Sequence, residues 1–295
     1  MGRVVVTGLG AVSPLGIGVP ALWDGLVAGR SGVRRVQHFD TENLPVKIAA
    51  EVPDFDPKQF MDAKAARRMD RFAQFAIAAT REALGDAGLE VTDENRERIA
   101  IVVNTGGGGI PSIESNVTAM AVSGPNRVGP LVIPMFAPNM ASSQVSIAFG
   151  ILGPTITSAA ACASGVQAYV DAVRLLHSGE ADVVITGGTE AGITPVALTS
   201  LSHMQALSHR NDDPQAASRP FDADRDGFVF GEGAGILILE TEEHAVRRGA
   251  RVYAEAMGGA LTSDAFHLTA PEPTGRGARA AMTNALKRAE MSPED

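Results

Sequence analysis

The sequence predicts an α/β fold in which a central sheet is covered by helices on both faces. Short runs rich in β-branched residues alternate with stretches of helical periodicity. The short runs are almost entirely apolar, which is typical of strands buried on both faces. No internal repeat of solenoid period interrupts this alternation.

Five segments carry the strand signal, and glycine follows or ends most of them. The predicted strands are residues 3–10, 98–107, 155–160, 181–188 and 233–240. A sixth strand-like segment, residues 251–260, comes late in the chain. We expect these segments to form the central sheet.

Four segments have the spacing of amphipathic helices. The predicted helices are residues 71–84, 164–178, 242–248 and 279–290. Gly85 and Gly179 are expected to end the first two, because glycine readily takes the left-handed conformation that follows a helix. In the second helix Val166, Val170 and Val173 are expected to share the buried face with Leu176.

Composition limits the classes of function. The 295 residues are 45% hydrophobic and 20% charged, with a formal net charge of −9, which is ordinary for a globular protein and argues against a nucleic-acid or anionic-membrane surface. A single cysteine permits no intrachain disulfide, so a reducing compartment such as the cytoplasm is expected. The uncharged residues 4–23 and 128–170 contain too many prolines, glycines or polar residues for a membrane span. Residues 128–170 are instead predicted to lie in the protein interior.

Two segments resemble known binding motifs but lack one residue that each motif requires. Residues 8–13 place Ser13 where a dinucleotide-binding turn needs Gly or Ala. Residues 222–233 resemble a calcium loop but end at Gly233 instead of a bidentate Glu, so we expect its carboxylates to pair with Arg219 and Arg225. The six histidines show no metal-ligand spacing, and we predict no metal and no cofactor.

A basic cluster is formed by Lys64, Arg67 and Arg68, which helical spacings of three and four would place on one face. Such a cluster is ordinarily a solvated surface. In an acidic protein it is also suited to docking an acidic partner, and the residues alone leave both interpretations open.

Cys162 lies in the small-residue segment "TITSAAACASGVQA", between a predicted strand and a predicted helix. A lone cysteine is usually a buried apolar residue. Here a tight turn would present the thiol at a helix N-terminus, where free N–H groups and the helix dipole favour the thiolate. The neighbouring alanines and Gly165 leave space for a substrate carbonyl and its oxyanion. We therefore predict that Cys162 is a nucleophile.

Six segments spread over the whole chain form a recognisable family pattern. They are "VVVTGLGAVSPLG", "RRMDRFAQFA", "TITSAAACASGVQA", "ADVVITGGTEA", "ALSHRNDDPQAASRPFDADRDGFVFGEGAG" and "TSDAFHLTAPEP". In this order they resemble the β-ketoacyl-acyl carrier protein synthases of the elongating type. The resemblance implies the thiolase-like αβαβα layered fold, with an amino-terminal domain over residues 1–250 and the beginning of a carboxy-terminal domain over residues 251–295.

The resemblance also implies a reaction. Cys162 would accept an acyl group from acyl carrier protein, and its own N–H would form one arm of the oxyanion hole. The carbanion from decarboxylation of malonyl-carrier would then attack the acyl-enzyme in a Claisen condensation. Members of this family are cytoplasmic homodimers, so a homodimer is expected, with no nucleic-acid or membrane partner. The uncharged residues 128–170 suit the interface of such a dimer as well as a core.

Other positions correspond to functional residues of the family. Lys64, Arg67 and Arg68 match the patch that receives the acidic carrier protein. Gly107 stands where many members have a larger residue that gates the acyl pocket, so an easily opened acyl channel is expected. Leu201 replaces a Phe of some members beside the acyl chain, as Gln205 replaces an Arg, and Thr269 lies in the segment that reaches the pantetheine end of the substrate. Substrate binding is thus assigned to Gly107, Leu201 and Thr269.

One departure from the family limits what is expected of these 295 residues. The family's two catalytic histidines, its lysine and its Gly-Phe-Gly loop belong to segments that follow position 295, so the chain alone is expected to be incomplete for catalysis. Three alternatives stay open: a polyketide ketosynthase, a non-catalytic protein that binds acyl chains or carrier protein, and a nicotinamide-dependent oxidoreductase.

Overall fold

A computed structural model describes residues 2–295 and contains a mixed sheet with helices on both faces. Its strands are β1 (Val4–Ser13), β2 (Gly16–Ile17), β3 (Arg34–Arg35), β4 (Ile48–Ala49), β5 (Ile99–Asn104), β6 (Thr155–Ile156), β7 (Val183–Glu190), β8 (Gly233–Thr241) and β9 (Ala254–Glu255). Its α-helices are α1 (Val19–Val27), α2 (Ala63–Ala66), α3 (Arg71–Ala87), α4 (Ile110–Ser123), α5 (Val132–Phe136), α6 (Met140–Phe149), α7 (Ser164–Ser178), α8 (Pro195–His203), α9 (Glu242–Arg247) and α10 (Arg276–Ala289). The predicted α/β class is confirmed.

The central sheet has the order β2-β1-β8-β7-β5-β6, and β9 also pairs with β1. β8 is antiparallel to both β1 and β7, whereas β5 runs parallel to β7 and to β6. In the β5–β7 pair, Asn104 lies opposite Gly188. The carboxyl ends of β5 and β7 therefore meet at one edge of the sheet, where the loops that follow them come together.

Each face of the sheet buries one long helix. On one face α3 buries Phe72 and Phe75 completely against β1 and β8. On the other face α7 buries Ala168 and Ala172 against β5 and β7. Both faces of the central strands are covered, which explains why their sequences are almost wholly apolar.

A charged cluster is buried where β8 leads into α9. The Glu240 side chain is fully buried and accepts hydrogen bonds from Arg248 Nη2 at 2.5 Å, from His244 Nδ1 at 2.5 Å and from the Thr7 hydroxyl. Burial raises the pKa of Glu240, but these hydrogen bonds outweigh it, so the net pKa lies below the ordinary value of 4.5. Arg248 also donates to the Ala87 carbonyl at 2.8 Å, so the cluster ties β8 to the end of α3.

The helix α7 agrees with its prediction from Ser164 to Ser178, and Gly179 follows it with a φ of 77°. Val166 does not lie on the buried face as predicted, because 65% of its surface is exposed. The helix predicted to stop at Gly85 continues to Ala87 and ends before the left-handed Gly88. The side chain of Ala87 is buried against the core, so packing favours the extra turn.

Other boundaries shift. The strand predicted over residues 155–160 contains only Thr155 and Ile156, and the one predicted over residues 251–260 contains only Ala254 and Glu255. The last predicted helix begins earlier, at Arg276, and ends at Ala289.

The expectation that residues 128–170 lie wholly inside is wrong. This segment contains α5 and α6, and Ile133, Ile147 and Leu152 are 66%, 72% and 64% exposed. The helix α6 packs against α3 and β5 through Ala141, Ser142 and Val145, while Ile147 on the same helix stays exposed. Within residues 2–295, no helix combines the length and apolar character that crossing a membrane requires.

Candidate active site

Cys162 is exposed and lies in a single 3-10 turn, Ala161–Ala163, that leads directly into α7. The predicted placement of the thiol at a helix N-terminus is therefore confirmed. Ala161, the residue before it, has a φ of 47°, which is unusual for a residue other than glycine. Such local backbone strain is often found where a side chain is held in position for chemistry.

Hydrogen bonds from the end of β5 fix the loop on both sides of Cys162. The buried side chain of Asn104 donates to Ser158 Oγ at 2.9 Å and to the Ser164 carbonyl at 3.0 Å, and accepts from the Ser158 N–H at 2.8 Å. Ser164 Oγ in turn donates to the Ala161 carbonyl at 2.7 Å. The strained turn is thus held by groups that are themselves buried in the sheet.

Cys162 opens onto a cavity with a volume of about 770 Å³. Its walls come from the glycine turn after β5, which we define as residues 105–109, from the ends of β1 and β7, from the Cys162 loop, from α8, and from residues 228–235, which lead into and begin β8. Gly107 and Leu201 line this cavity, as expected of acyl-binding positions. The cavity is mostly apolar, since glycine and alanine residues and the rings of Phe228 and Phe230 form much of its lining.

The space left by the missing side chain at Gly107 is already filled. A Cβ atom placed on Gly107 would lie 2.6 Å from Ile110 Cδ1, which is too close for two carbon atoms. Ile110, in the first turn of α4, therefore occupies the volume that a larger residue at position 107 would need. Whether the channel opens easily stays a prediction.

Glu190, the last residue of β7, is a cavity-lining residue that the sequence analysis missed. Its Oε2 accepts hydrogen bonds from the N–H groups of Gly106 and Gly107 at 2.9 and 3.1 Å, and from Thr105 Oγ1 at 3.3 Å. Burial raises the pKa of this carboxyl, while these hydrogen bonds partly oppose the shift. The only sequence signal was an acidic residue immediately after an apolar strand.

The basic cluster is exposed, but its three members do not share one helical face. The helix α2 contains only residues 63–66, so Lys64 lies on it while Arg67 and Arg68 follow in the next turn. Asp62 starts this helix by accepting the N–H groups of residues 64 and 65, and Asp70 starts the next one. Within residues 2–295, no carboxylate lies within 4 Å of the three cationic groups, which are free to meet an acidic partner.

Thr269 and the arginines expected to pair in the calcium-like loop do not line the cavity. Thr269 is exposed in a loop before α10, where its hydroxyl lies 3.5 Å from His267 Nδ1. In the calcium-like loop, Arg219 forms an ion pair with the Asp222 carboxylate at 3.4 Å, as expected. Arg225 donates instead to the main-chain oxygen of Asp222.

Comparison with known proteins identifies the family of this chain. The profile of the β-ketoacyl synthase N-terminal domain matches residues 1–245. The 3-oxoacyl-[acyl-carrier-protein] synthase 2 of Synechocystis sp. is 48% identical over 292 residues, which cover 99% of this chain and 70% of that relative. The protein of the same name from Coxiella burnetii is 44% identical over the same shares.

Solved structures give the same answer for the fold. The ishigamide ketosynthase/chain length factor matches with a TM-score of 0.91 at 34% identity, covering 99% of this chain and 71% of that one. A type II polyketide synthase acyl-carrier protein in complex with its ketosynthase matches with a TM-score of 0.89 at 31% identity and the same coverage. The fold is therefore the thiolase-like fold of ketosynthases, and the chain belongs to the β-ketoacyl synthase family.

Proposed function

We propose that Cys162 is the acyl-accepting nucleophile of a condensing enzyme that elongates fatty acids on acyl carrier protein. The single observation that carries this proposal is the exposed thiol, which lies at the N-terminus of a 15-residue helix and faces a cavity of about 770 Å³. The relatives' names agree with it, since both are 3-oxoacyl-[acyl-carrier-protein] synthases.

The geometry suits the first half of the reaction. The Cys162 thiolate attacks the thioester carbonyl of the acyl-carrier, the carbonyl oxygen takes up negative charge, and the carrier thiol leaves. No side chain caps the N-terminus of α7, so the free N–H groups there are available to a developing oxyanion. The N–H of Cys162 itself is our candidate for one oxyanion donor.

The second half forms the carbon–carbon bond. Malonyl-carrier loses CO₂, and the resulting carbanion attacks the acyl carbonyl on Cys162, which releases the thiolate and yields a 3-oxoacyl-carrier. The acyl chain occupies the cavity beside Gly107 and Leu201. Thr269 is our candidate for a contact with the pantetheine end.

Lys64, Arg67 and Arg68 are proposed to dock the carrier protein. Their support is that all three are exposed cations in a protein of net charge −9, and that a related ketosynthase has been solved in complex with its acyl-carrier protein. Charge complementarity of this kind governs mainly the rate of association. We further propose a homodimer, which is supported by the exposed aliphatic side chains on α5 and α6. We also propose a cytoplasmic location, which is supported by the single, unpaired cysteine.

The test of the nucleophile uses intact mass. The chain is incubated with acyl-carrier protein, and the mass gain of one acyl group at Cys162 is followed with time. Cys162→Ser is expected to abolish the gain while circular dichroism stays unchanged. A persistent mass gain in Cys162→Ser would place the chemistry elsewhere, and binding of the carrier without any mass gain in wild type would favour a non-catalytic binding protein.

The docking surface is tested with a charge-reversed triple variant, Lys64→Glu, Arg67→Glu and Arg68→Glu. Acylation from carrier protein should slow by at least about tenfold, because long-range attraction accelerates protein association by that order or more. Acylation from a small N-acetylcysteamine thioester should not change. The matched control reverses three exposed cations of α10, Arg276, Arg279 and Lys287, and should leave both rates unchanged.

A polyketide ketosynthase is the second candidate, since one of the structural matches is such an enzyme. The two are separated by the product. A fatty-acid enzyme condenses a reduced acyl chain once per cycle, whereas a polyketide enzyme extends a chain that retains its keto groups. The sequence identities of 48% and 44% to 3-oxoacyl-[acyl-carrier-protein] synthases, against 31% to this polyketide enzyme, favour the first.

A further inference from the structure

The carboxylate of Glu190 lies in the cavity wall, beside the glycine turn of residues 105–109. Because β5 and β7 are parallel neighbours, the end of β7 brings Glu190 beside the glycine turn that follows β5. Its Oε2 accepts from two consecutive N–H groups, those of Gly106 and Gly107, and from the hydroxyl of Thr105. One carboxylate oxygen thus holds three successive residues of the turn.

The glycine turn packs directly against the nucleophile's loop. A Cβ atom on Gly106 would lie 3.3 Å from the carbonyl oxygen of Ala161, the residue before Cys162. A displacement of the turn by a few tenths of an ångström therefore changes the cavity immediately beside the thiol. The Glu190 hydrogen bonds oppose such a displacement, together with the weaker bond from Ser164 Oγ to the Thr105 carbonyl at 3.4 Å.

The second oxygen of Glu190 is covered by Ile110. Among residues 2–295, Glu190 Oε1 is buried without a hydrogen-bond partner. Cβ atoms placed on Gly107 or Gly192 would lie 3.5 and 3.6 Å from this oxygen, and 2.6 and 3.5 Å from Ile110 Cδ1. The end of the Ile110 side chain and Oε1 therefore occupy the same small space between two glycines.

Glu190, the glycine turn and Ile110 contact one another in one part of the cavity wall. We propose that Glu190 is a positioning residue which holds the glycine turn closed and thereby keeps Ile110 in place as the stop that limits how long an acyl chain can lie beyond Cys162. Ile110 closes the space that Gly107 leaves open, and the Oε2 hydrogen bonds keep the turn beneath it from moving. The inference deepens the proposed function by assigning chain-length selection to this pair.

The test measures cavity depth at Cys162 without using a carrier protein. Methyl, hexyl and dodecyl methanethiosulfonates each react with the thiolate to form a mixed disulfide and release methanesulfinate, and intact mass gives the rate for each chain. The ratio of dodecyl to methyl rates reports the available depth. It is measured for wild type, Glu190→Ala, Glu190→Gln, Ile110→Ala and the control Glu243→Ala, whose side chain is 89% exposed on α9.

Glu190→Ala should raise the dodecyl-to-methyl ratio by at least about fivefold, which corresponds to the loss of one net hydrogen bond. Glu190→Gln retains an acceptor oxygen for the two N–H groups and should stay within about twofold of wild type. Ile110→Ala should raise the dodecyl-to-methyl ratio as Glu190→Ala does. If Glu190→Ala does not fold, the ratio measured for Ile110→Ala tests the proposal. Glu243→Ala should match wild type.

An unchanged ratio in Glu190→Ala or Ile110→Ala, or an equal change in the rates of all three probes, would overturn the inference. So would a Glu190→Gln variant as altered as Glu190→Ala, because the hydrogen bonds would then not be the cause. Failure of the proposed function looks different, since it appears as no acyl transfer from carrier protein while the probe ratios remain measurable.

Discussion

Replacing Arg248 with alanine should destabilise the fold strongly, because Arg248 is the main cation facing the fully buried carboxylate of Glu240. The guanidinium donates to Glu240 through Nε at 2.9 Å and Nη2 at 2.5 Å, and to the Ala87 carbonyl at 2.8 Å. Glu240 is 0% exposed and cannot be rehydrated without moving β8 or α9. The Arg248→Ala variant would leave a buried charge with fewer partners.

The magnitude follows from these contacts. Removing one member of a buried ion pair costs about 3–5 kcal/mol. The hydrogen bonds that Glu240 accepts from His244 Nδ1, at 2.5 Å, and from the Thr7 hydroxyl remain in the variant, so we expect a loss near the lower limit of that range, about 3 kcal/mol. The free energy of unfolding is measured by urea titration monitored by circular dichroism.

The neighbouring Arg247→Ala variant is the matched control. Arg247 is 62% exposed and lies 3.7 Å from the 89% exposed Glu243, so its removal should change the free energy of unfolding by no more than about 0.5 kcal/mol. If Arg248→Ala loses no more stability than Arg247→Ala, the buried cluster does not stabilise the fold as argued.

The same variant has a defined pH dependence. The folded protein holds the pKa of Glu240 below 4.5, so in that range the unfolded chain binds the proton more tightly. The stability contributed by ionised Glu240 is therefore present above pH 4.5 and is lost as the pH falls through the lowered pKa. The difference between wild type and Arg248→Ala should be largest near neutral pH and should shrink in acid.

Two further predictions concern packing near the active site. Gly107→Ala should cost about 0.5–1.5 kcal/mol, because its Cβ would meet Ile110 Cδ1 at 2.6 Å and the end of that side chain would have to leave its rotamer. Ile110→Ala in the same chain should recover part of that loss. Strictly additive free energies of unfolding in a urea double-mutant cycle would contradict the contact. Ser142→Ala should cost about 1–3 kcal/mol, because the buried hydroxyl accepts from the Val103 N–H at 3.0 Å and donates to the Ile156 carbonyl at 2.7 Å, and a variant as stable as wild type in urea would refute this bridging role.

The position of Cys162 could be predicted because its signals are local. A turn of small residues, a helix from Ser164 with strong amphipathic spacing and a glycine at position 179 all lie within one short stretch of chain. Such signals do not depend on what the rest of the protein does. The resemblance to the ketosynthase family added the reaction, which the turn alone could not specify.

Glu190 could not be predicted in the same way. Its importance comes from the register that places β7 beside β5, so that residues 106 and 107 meet a carboxylate more than 80 positions away in the chain. No local pattern marks such a partner. The space beside Gly107 was likewise expected to be empty, because only the folded structure shows that the Ile110 side chain fills it.

The helices α5 and α6 were missed for a different reason. Their sequences lack charged residues and have little contrast between faces, so no helical periodicity separates a buried side from an exposed one. Aliphatic residues such as Ile133 and Ile147 are nevertheless exposed. The absence of charge in residues 128–170 therefore predicted burial, although part of the segment is exposed in the structure.

The placement of β8 has a consequence for how the protein is made. Val4 near the start of the chain pairs with Thr241, and β8 also supplies the partner for β7. The first strand leaves the ribosome early and pairs at its end with the short β2, yet β8, which pairs along most of its length, is not available until residue 241 has been synthesised. Long-range pairings of this kind form slowly and leave apolar edges unprotected meanwhile. The nascent β1 is therefore the segment on which a chaperone has the longest time to act.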